Sequence, residues 1–312
     1  MPNFRTLDLN LLRVFDMLMS EGSLTRAAEA LAITQPAASH ALKRLHDALG
    51  ETLFVRTAFG MKPTPRAEAL WPQVRAALGG LQRALAPESF DPARDSANFR
   101  VAMTDGMAAL LAPPLVREIE SLGAQVNLRT LPLTTRDPRR LLHDGEADLA
   151  IGHFPDAVAT LVADGAQARE RHQRLHETTY VCVMRREHPL AKKLLTLDDY
   201  CAAHHLIASV SGRPHGYVDE ALAALGRRRR VVLTVNQFFT AGQVLAQSDL
   251  LTVMPLAFMA ATGAQDRLIT RALPLELAPV ALEMLWPVRL DADPAQRWLR
   301  AAVRRASGVP ED

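Results

Sequence analysis

Five basic side chains, Lys43, Arg44, Arg56, Lys62 and Arg66, fall within residues 34–66, against only Asp47 and Glu51. The whole chain carries just +2. The charge is therefore local, and a local patch of cations is what the phosphates of a nucleic acid need. Side chains able to read bases stand among them. Gln35 offers the paired donor and acceptor that match an adenine edge, and Ser39 suits either a base or a phosphate. Pro36 and His40 share that stretch. The hydroxyls of Ser23, Thr25 and Thr34 fall where helices start, so they and the free backbone N–H groups there can hold phosphate oxygens. Lys43 and Arg44 read as phosphate contacts, and Arg56 as reaching the minor groove or its phosphates. A blander reading competes: Ser23 and Thr34 as caps only, with Lys43 and Arg44 on a solvated helix face.

A second kind of chemistry lies further along. The run MTDG sets Thr104, Asp105 and Gly106 where a strand feeds a helix. Unpaired N–H groups and the positive dipole end of such a helix attract an anion, so a small carboxylate is the expected guest. Simple capping by Thr104 is the alternative. SVSGRPHG puts Ser209, Ser211 and His215 on a loop in which Gly212 and Gly216 permit close approach, and Phe238 and Phe239 are placed to add aromatic contact. His172 and His176, and the adjacent His204 and His205, lack a third ligand at suitable spacing, so no metal is expected. The basic run 227–230 reads as a solvated strand edge rather than a second DNA site. No G-x-S-x-G, H-E-x-x-H or G-x-x-x-x-G-K-[ST] stretch occurs. Without such a motif no catalytic residue, cofactor or enzyme activity is expected.

Particular elements must position these residues. Leu11, Leu12, Phe15, Leu18 and Met19 repeat at helical spacing, and Glu21-Gly22 ends that helix. Ser23 caps a short, Ala-rich second helix. Thr34 caps a third, with Pro36 just inside its start and Gly50 as its stop. If Leu42 and Leu45 face the core, Gln35, Ala38, Ser39 and Lys43 face outward. Residues 52–56 and 61–62, around Ala58-Phe59-Gly60, read as a hairpin. Thr64 then caps a long helix with Pro65 at its first position and an expected kink at Pro72. Its stripe of Trp71, Val74, Leu78, Leu81 and Leu85 points to a partner helix, hence a dimer. The Pro/Asp/Ser-rich run 86–98 reads as a hinge, after which strands alternate with helices in the manner of a parallel sheet. A second lobe begins near Tyr180. At 312 residues, with 48% apolar and 22% charged residues, the chain fits a multidomain globular protein. No apolar run reaches the ~18 residues of a membrane span. The start, MPNFRTLDLNLLRVF, does not read as a secretory leader, and the separated Cys182 and Cys201 suit a reducing compartment, so a cytoplasmic location without membrane contact is expected.

Residues 23–67, SLTRAAEALAITQPAASHALKRLHDALGETLFVRTAFGMKPTPRA, closely resemble the DNA-binding segment of LysR-type transcriptional regulators. Ala27-Ala28, Leu31, Gln35-Pro36-Ala37, Ser39, Leu42, Leu45, Leu49-Gly50, Leu53-Phe54, Arg56 and Thr64-Pro65 carry the likeness. Asp8 to Leu12, Ala102 to Asp105, Asp148 to Ala150, Tyr180 to Cys182, His188-Pro189 and Trp298 to Arg300 extend it. They point to the branch whose members respond to nodulation flavonoids, salicylate and nitroaromatics.

The resemblance implies an α/β protein: an N-terminal all-α winged helix-turn-helix, a linker helix, and a C-terminal two-lobed α/β domain like periplasmic binding proteins. The expected boundaries are 1–64 for the DNA-binding domain (helix-turn-helix about 25–44), 65–86 for the linker and dimerisation helix, 87–98 for the hinge, and 99–312 for the effector domain. Within the last, lobe I takes about 99–179 and 266–312, and lobe II about 180–265. Implied partners are double-stranded DNA, a second copy through the linker helix, a homotetramer, and RNA polymerase. The implied effector is small, carboxylate-bearing and aromatic, held between the lobes by positions matching Thr104, Thr178, His215 and Phe238, with Asp105 and Ser209 beside them. Thr178 departs from the polar ring residue common in relatives, and His40 and His46 are unusual on the reading helix. Two other classes stay open at this point: a ligand-independent DNA-binding protein, and an α/β enzyme with an appended DNA-binding domain.

Overall fold

The computed structural model describes residues 7–57, 60–85, 89–209 and 211–308. The chain divides into two compact units, the first ending with the helix Pro65–Leu85 and the second holding every later element.

In the first unit, α1 (Asn10–Glu21) buries Leu11, Val14, Phe15 and Leu18 along one face and stops at Gly22, whose φ of 61° favours glycine. Ser23 starts α2 (Leu24–Ala30) by accepting the Arg26 N–H at 3.5 Å, and Thr34 starts α3 (Gln35–Leu49) by accepting the Ala37 N–H at 3.4 Å. Val14, Ala28 and Ala38 meet where the three helices converge, and their small size lets the helices approach closely. Ala38 thus faces inward, against the sequence reading. It precedes Leu42 by four residues and Leu45 by seven, so the 3.6-residue repeat puts all three on one stripe.

Antiparallel strands β1 (Phe54–Thr57) and β2 (Gly60–Pro63) form a hairpin in which Phe54 opposes Pro63 and Thr57 opposes Gly60. Its Ala58-Phe59 tip lies outside the described residues. Phe54 anchors the hairpin by meeting Phe15 edge-on at 5.9 Å. Thr64 joins hairpin to helix: its hydroxyl donates to the Thr52 carbonyl at 3.0 Å and accepts from the Ala67 N–H at 3.3 Å. Helix α4 (Pro65–Leu85) continues across Pro72. Its apolar stripe is partly taken up within the unit, because Val74 is buried there and Trp71 and Leu78 pack against the same core. The Trp71 indole N–H donates to Asp16 at 2.7 Å. Leu81, one turn on, is 50% exposed.

The second unit holds two five-stranded sheets. The first contains β3 (Ala97–Met103), β4 (Val126–Pro132), β5 (Leu149–Gly152), β6 (Glu170–Thr178) and, from near the end of the chain, β12 (Val280–Pro287), in the order β4-β3-β5-β12-β6. Helices α5 (Asp105–Ser121) and α11 (Pro294–Ala306) cover one face with Met107, Leu111, Leu299 and Val303. On the other face α6 (Arg139–His143) and α7 (Pro155–Asp164) pack Leu142, Ala157 and Leu161. Alternation along β3, with Val101 and Met103 on one side and Ala102 on the other, serves both layers.

The second sheet contains β7 (Tyr180–Arg185), β8 (His204–Ala208), β9 (Arg230–Val235), β10 (Leu250–Pro255) and β11 (Leu268–Arg271), in the order β11-β7-β10-β8-β9. It carries α8 (Leu197–Ala202) and α9 (Tyr217–Ala224) on one face and α10 (Phe238–Leu245) on the other.

Two expectations change here. Both sheets are mixed: β3 runs parallel to β4 and β5, but β12 runs antiparallel to β5 and β6, and β7 antiparallel to β10 and β11. In the first sheet the cause is the returning chain, which inserts β12 between β5 and β6. Strand β11 also belongs to the second sheet, so the return falls after Arg271 rather than at 266.

Candidate functional site

The reading helix and hairpin of the first unit form an exposed face. Gln35, Pro36, Ser39, His40, Lys43 and Arg44 are exposed on α3, and so are Thr25, Thr34 and Arg56, while Ser23 is half-buried. Their charges are not equivalent. Arg44 pairs with Asp8 at 3.3 Å and Arg66 with Glu51 at 2.6 Å. Lys43, Arg56 and Lys62 have no acidic partner among the described residues, so the field that remains is theirs. His46 turns away from this face: its Nε2 accepts the Leu53 N–H at 3.2 Å, and burial lowers its pKa. It ties the end of α3 to the segment that leads into the hairpin.

In the second unit a cavity of about 220 Å³ opens between the two sheets. Its wall is largely apolar, with aliphatic side chains such as Leu133, Leu206, Val253 and Leu282 beside five Phe and Tyr rings. Phe238 and Phe258 lie 5.2 Å apart, and Phe154, Tyr180 and Tyr217 are the other rings. Burial pushes the Tyr180 hydroxyl up to about 12, so it stays a neutral donor. Among the described lining residues there is no Asp or Glu.

The cavity's polar groups are each held by local chemistry. After β4, Asp137 pairs with Arg139 at 2.6 Å, and that bond keeps the carboxyl low in pKa. Asp137 is therefore committed away from its neighbour Arg136. The Arg136 guanidinium instead lies 4.3 Å over the Tyr217 ring, a contact worth about 0.5–1 kcal/mol at an exposed site. Tyr217 is the first residue of α9, whose start is fixed by Asp219 accepting the Gly216 N–H at 2.8 Å. Arg229 grips Asp219 with two bonds of 2.8 and 2.9 Å and reaches the Tyr200 hydroxyl at 2.9 Å. Burial alone would lower the Arg229 pKa, but the bonds to Asp219 and Tyr200 outweigh it and raise the value. His153 donates from Nδ1 to the Ala281 carbonyl at 2.9 Å and meets Tyr217 edge-on at 5.7 Å.

Of the residues singled out in the sequence, Thr104, Ser209, Ser211, His215, Gly216 and Phe238 line the cavity. Asp105 and Thr178 do not. Asp105 accepts the Phe238 N–H at 2.6 Å and so caps α10, whose own N-cap, Gln237, makes no side-chain cap bond. Thr178 is buried and accepts the Ala257 N–H at 3.3 Å, beginning the turn 256–262. The basic run 227–230 is not wholly a solvated edge either, because the Arg229 side chain is 3% exposed and borders the cavity. Sequence reasoning missed Arg136, His153, Tyr217 and Arg229. Gly216 closes the loop that was singled out, and Tyr217 directly after it was the nearest available signal. No group of three or more His, Cys, Asp or Glu among the described residues is placed to hold a metal ion. His205 donates to the Tyr200 carbonyl at 2.7 Å instead.

A cavity of about 150 Å³ lined by apolar groups accepts benzene. The one here has room for a single ring with small substituents, and its charge pattern admits an anion.

Comparison with known proteins agrees with both halves. Residues 9–68 match the family described as bacterial regulatory helix-turn-helix protein, lysR family, and residues 92–308 match the LysR substrate binding domain. The HTH-type transcriptional activator NagR of Ralstonia sp. is 34% identical over 299 residues, covering 96% of each chain. The HTH-type transcriptional activator NahR of Pseudomonas putida is 35% identical over 297 residues, covering 95% of this chain and 96% of its own. A crystal structure of a probable transcriptional regulator from Pseudomonas aeruginosa superimposes with a TM-score of 0.77 at 30% identity, covering 99% of both chains. With one segment matching the DNA-binding family, another the ligand domain, and relatives similar along nearly their whole length, the chain belongs to the LysR family of DNA-binding transcriptional regulators.

Proposed function

We propose that this regulator is controlled by a single-ring aromatic carboxylate bound in the cavity between the two sheets. The observation that carries the reading is the lining itself: an apolar wall with five Phe and Tyr rings, room for one ring, and no Asp or Glu among the described residues. At the other end of the chain, Gln35 and Ser39 read bases in the major groove, with Pro36 and His40 beside them. Ser23, Thr25, Thr34 and Lys43 hold phosphates, and Arg56 reaches the minor groove. Arg44 belongs to this group as a weaker contact, since Asp8 competes for it.

The proposed organisation is a DNA-binding domain at 1–64, a linker helix at 65–86, a hinge at 87–98 and an effector domain from 99 onward, with lobe II extended to Arg271. Two copies pair through the linker helices, where exposed Leu81 supports a seam beyond the part of the stripe used internally. Two such dimers form a tetramer on DNA in the cytoplasm. Effector binding favours one of two tetramer shapes, changes the DNA bend, and alters recruitment of RNA polymerase. The names of NagR and NahR support activation as the outcome.

The test begins with a duplex selected by the full chain from a random pool. Footprints are then compared with and without benzoate or salicylate. A changed footprint is the expected result. An identical footprint with both acids, together with no shift in melting temperature, overturns the effector reading.

A further inference from the structure

We infer that Arg136, and not the start of α5, is the counter-ion for the effector's carboxylate, with Tyr217 as the plate beside it; the assignment rests on the single-ring acid reading above.

Four features remove the competing anion positions. At the start of α5 the Met107 N–H is already taken by the Thr104 hydroxyl at 3.4 Å, which leaves that donor unavailable to an anion. The Asp105 carboxylate stands at the same helix end, directed to the Phe238 N–H, and its Oδ1 is buried without a partner. Its negative charge repels a second anion. Gly106 is walled off as well, since a Cβ there would lie 2.9 Å from the Phe238 ring and 3.0 Å from Phe258. Arg229 borders the cavity, but Asp219 neutralises it through two short bonds.

Arg136 differs from all of these. It borders the cavity, it is exposed, its guanidinium rests on the ring of Tyr217, and it has no acidic partner among the described residues. The acid beside it in sequence, Asp137, is bound to Arg139. The buried Arg229–Asp219 pair takes a positioning role: it fixes Gly216, hence Tyr217, hence the place where Arg136 rests. Arg136 comes from the loop after β4 of the first sheet and Tyr217 from α9 on the second, so a carboxylate drawn to the guanidinium is recognised from both lobes. A planar guanidinium can hold both carboxylate oxygens at once, which an uncharged isostere does not reward.

The test is calorimetric titration of the full chain with benzoate and with benzamide, its neutral counterpart of the same shape. Wild type is expected to favour benzoate by about tenfold or more, the ratio that one charge-assisted bond supplies. Arg136→Gln is expected to erase that preference while leaving benzamide affinity unchanged, and Arg136→Lys to restore part of it. Because Arg136 is exposed, the melting temperature of the unliganded variants serves as the folding check. Should Arg136→Gln, folded as wild type, keep the preference for benzoate, Arg136 is not the counter-ion, although the cavity still takes aromatic acids. Should wild type bind neither compound, the single-ring reading fails and this assignment fails with it.

Discussion

Two exposed side chains on the first unit, Gln35 and Arg56, test the proposed division between base reading and phosphate holding. Replacing Gln35 by alanine is expected to cost about 1–3 kcal/mol of binding at one base position, seen as lost preference when the variant selects duplexes. Arg56→Ala is expected to weaken all duplexes alike and to reduce the slope of log affinity against log salt by about one. Equal selectivity in Gln35→Ala would mean that another face of α3 meets the bases. A buried side chain gives a different readout. His205 is fully enclosed, faces Tyr200, Arg229 and Asp219, and is pushed down to about 4, chiefly by burial. Its folded pKa lies below the unfolded 6.5, so the unfolded chain binds the proton more tightly. Stability is then complete above pH 6.5 and falls as pH drops toward 4, by roughly 3 kcal/mol over that window. Urea unfolding of the second unit across that range is expected to show the loss in wild type and less of it in His205→Gln. At this scale the sequence was a partial guide. Ser23 and Thr34 could be assigned as caps because a cap acts within three residues. Arg229 could not, because its partner Asp219 sits ten residues away and meets it only once α9 and β9 have packed.

Elements show the same division between local and distant causes. Helices α1 to α3 follow from apolar spacing, capping hydroxyls and stop glycines, all read within one or two turns. Strands β6 and β12 were not legible. The run ERHQRLHET looks like a polar loop, and the nearly continuous burial of β12 lacks the alternation that marks a half-exposed strand. Each becomes a strand because the other pairs with it. The start of α10 is a further case, since its cap comes from Asp105 on α5 of the opposite lobe. Asp105→Ala is expected to lower the stability of the second unit by about 0.5–2 kcal/mol, the usual cost of a lost cap, measured as its unfolding midpoint. An unchanged midpoint would show that the bond contributes nothing net to the stability of the second unit.

For the molecule as a whole, family, two-unit division and a cleft between sheets were all accessible from the sequence, because a dense motif at residues 23–67 brings the rest with it. Which side chains enter the cleft was less accessible. Thr104, Ser209, His215 and Phe238 were reachable through strand ends and loops, whereas Arg136 and Tyr217 come together from different sheets. A regulator of this kind works only if the cleft and the DNA-reading helix are thermodynamically linked, and such linkage is reciprocal: DNA must change effector affinity by the factor with which effector changes DNA affinity. The decisive measurement is calorimetric titration of the full chain with benzoate, once alone and once saturated with its selected duplex. A shift in benzoate affinity that equals the shift in duplex affinity is the expected result; two identical benzoate affinities would contradict control through this cavity.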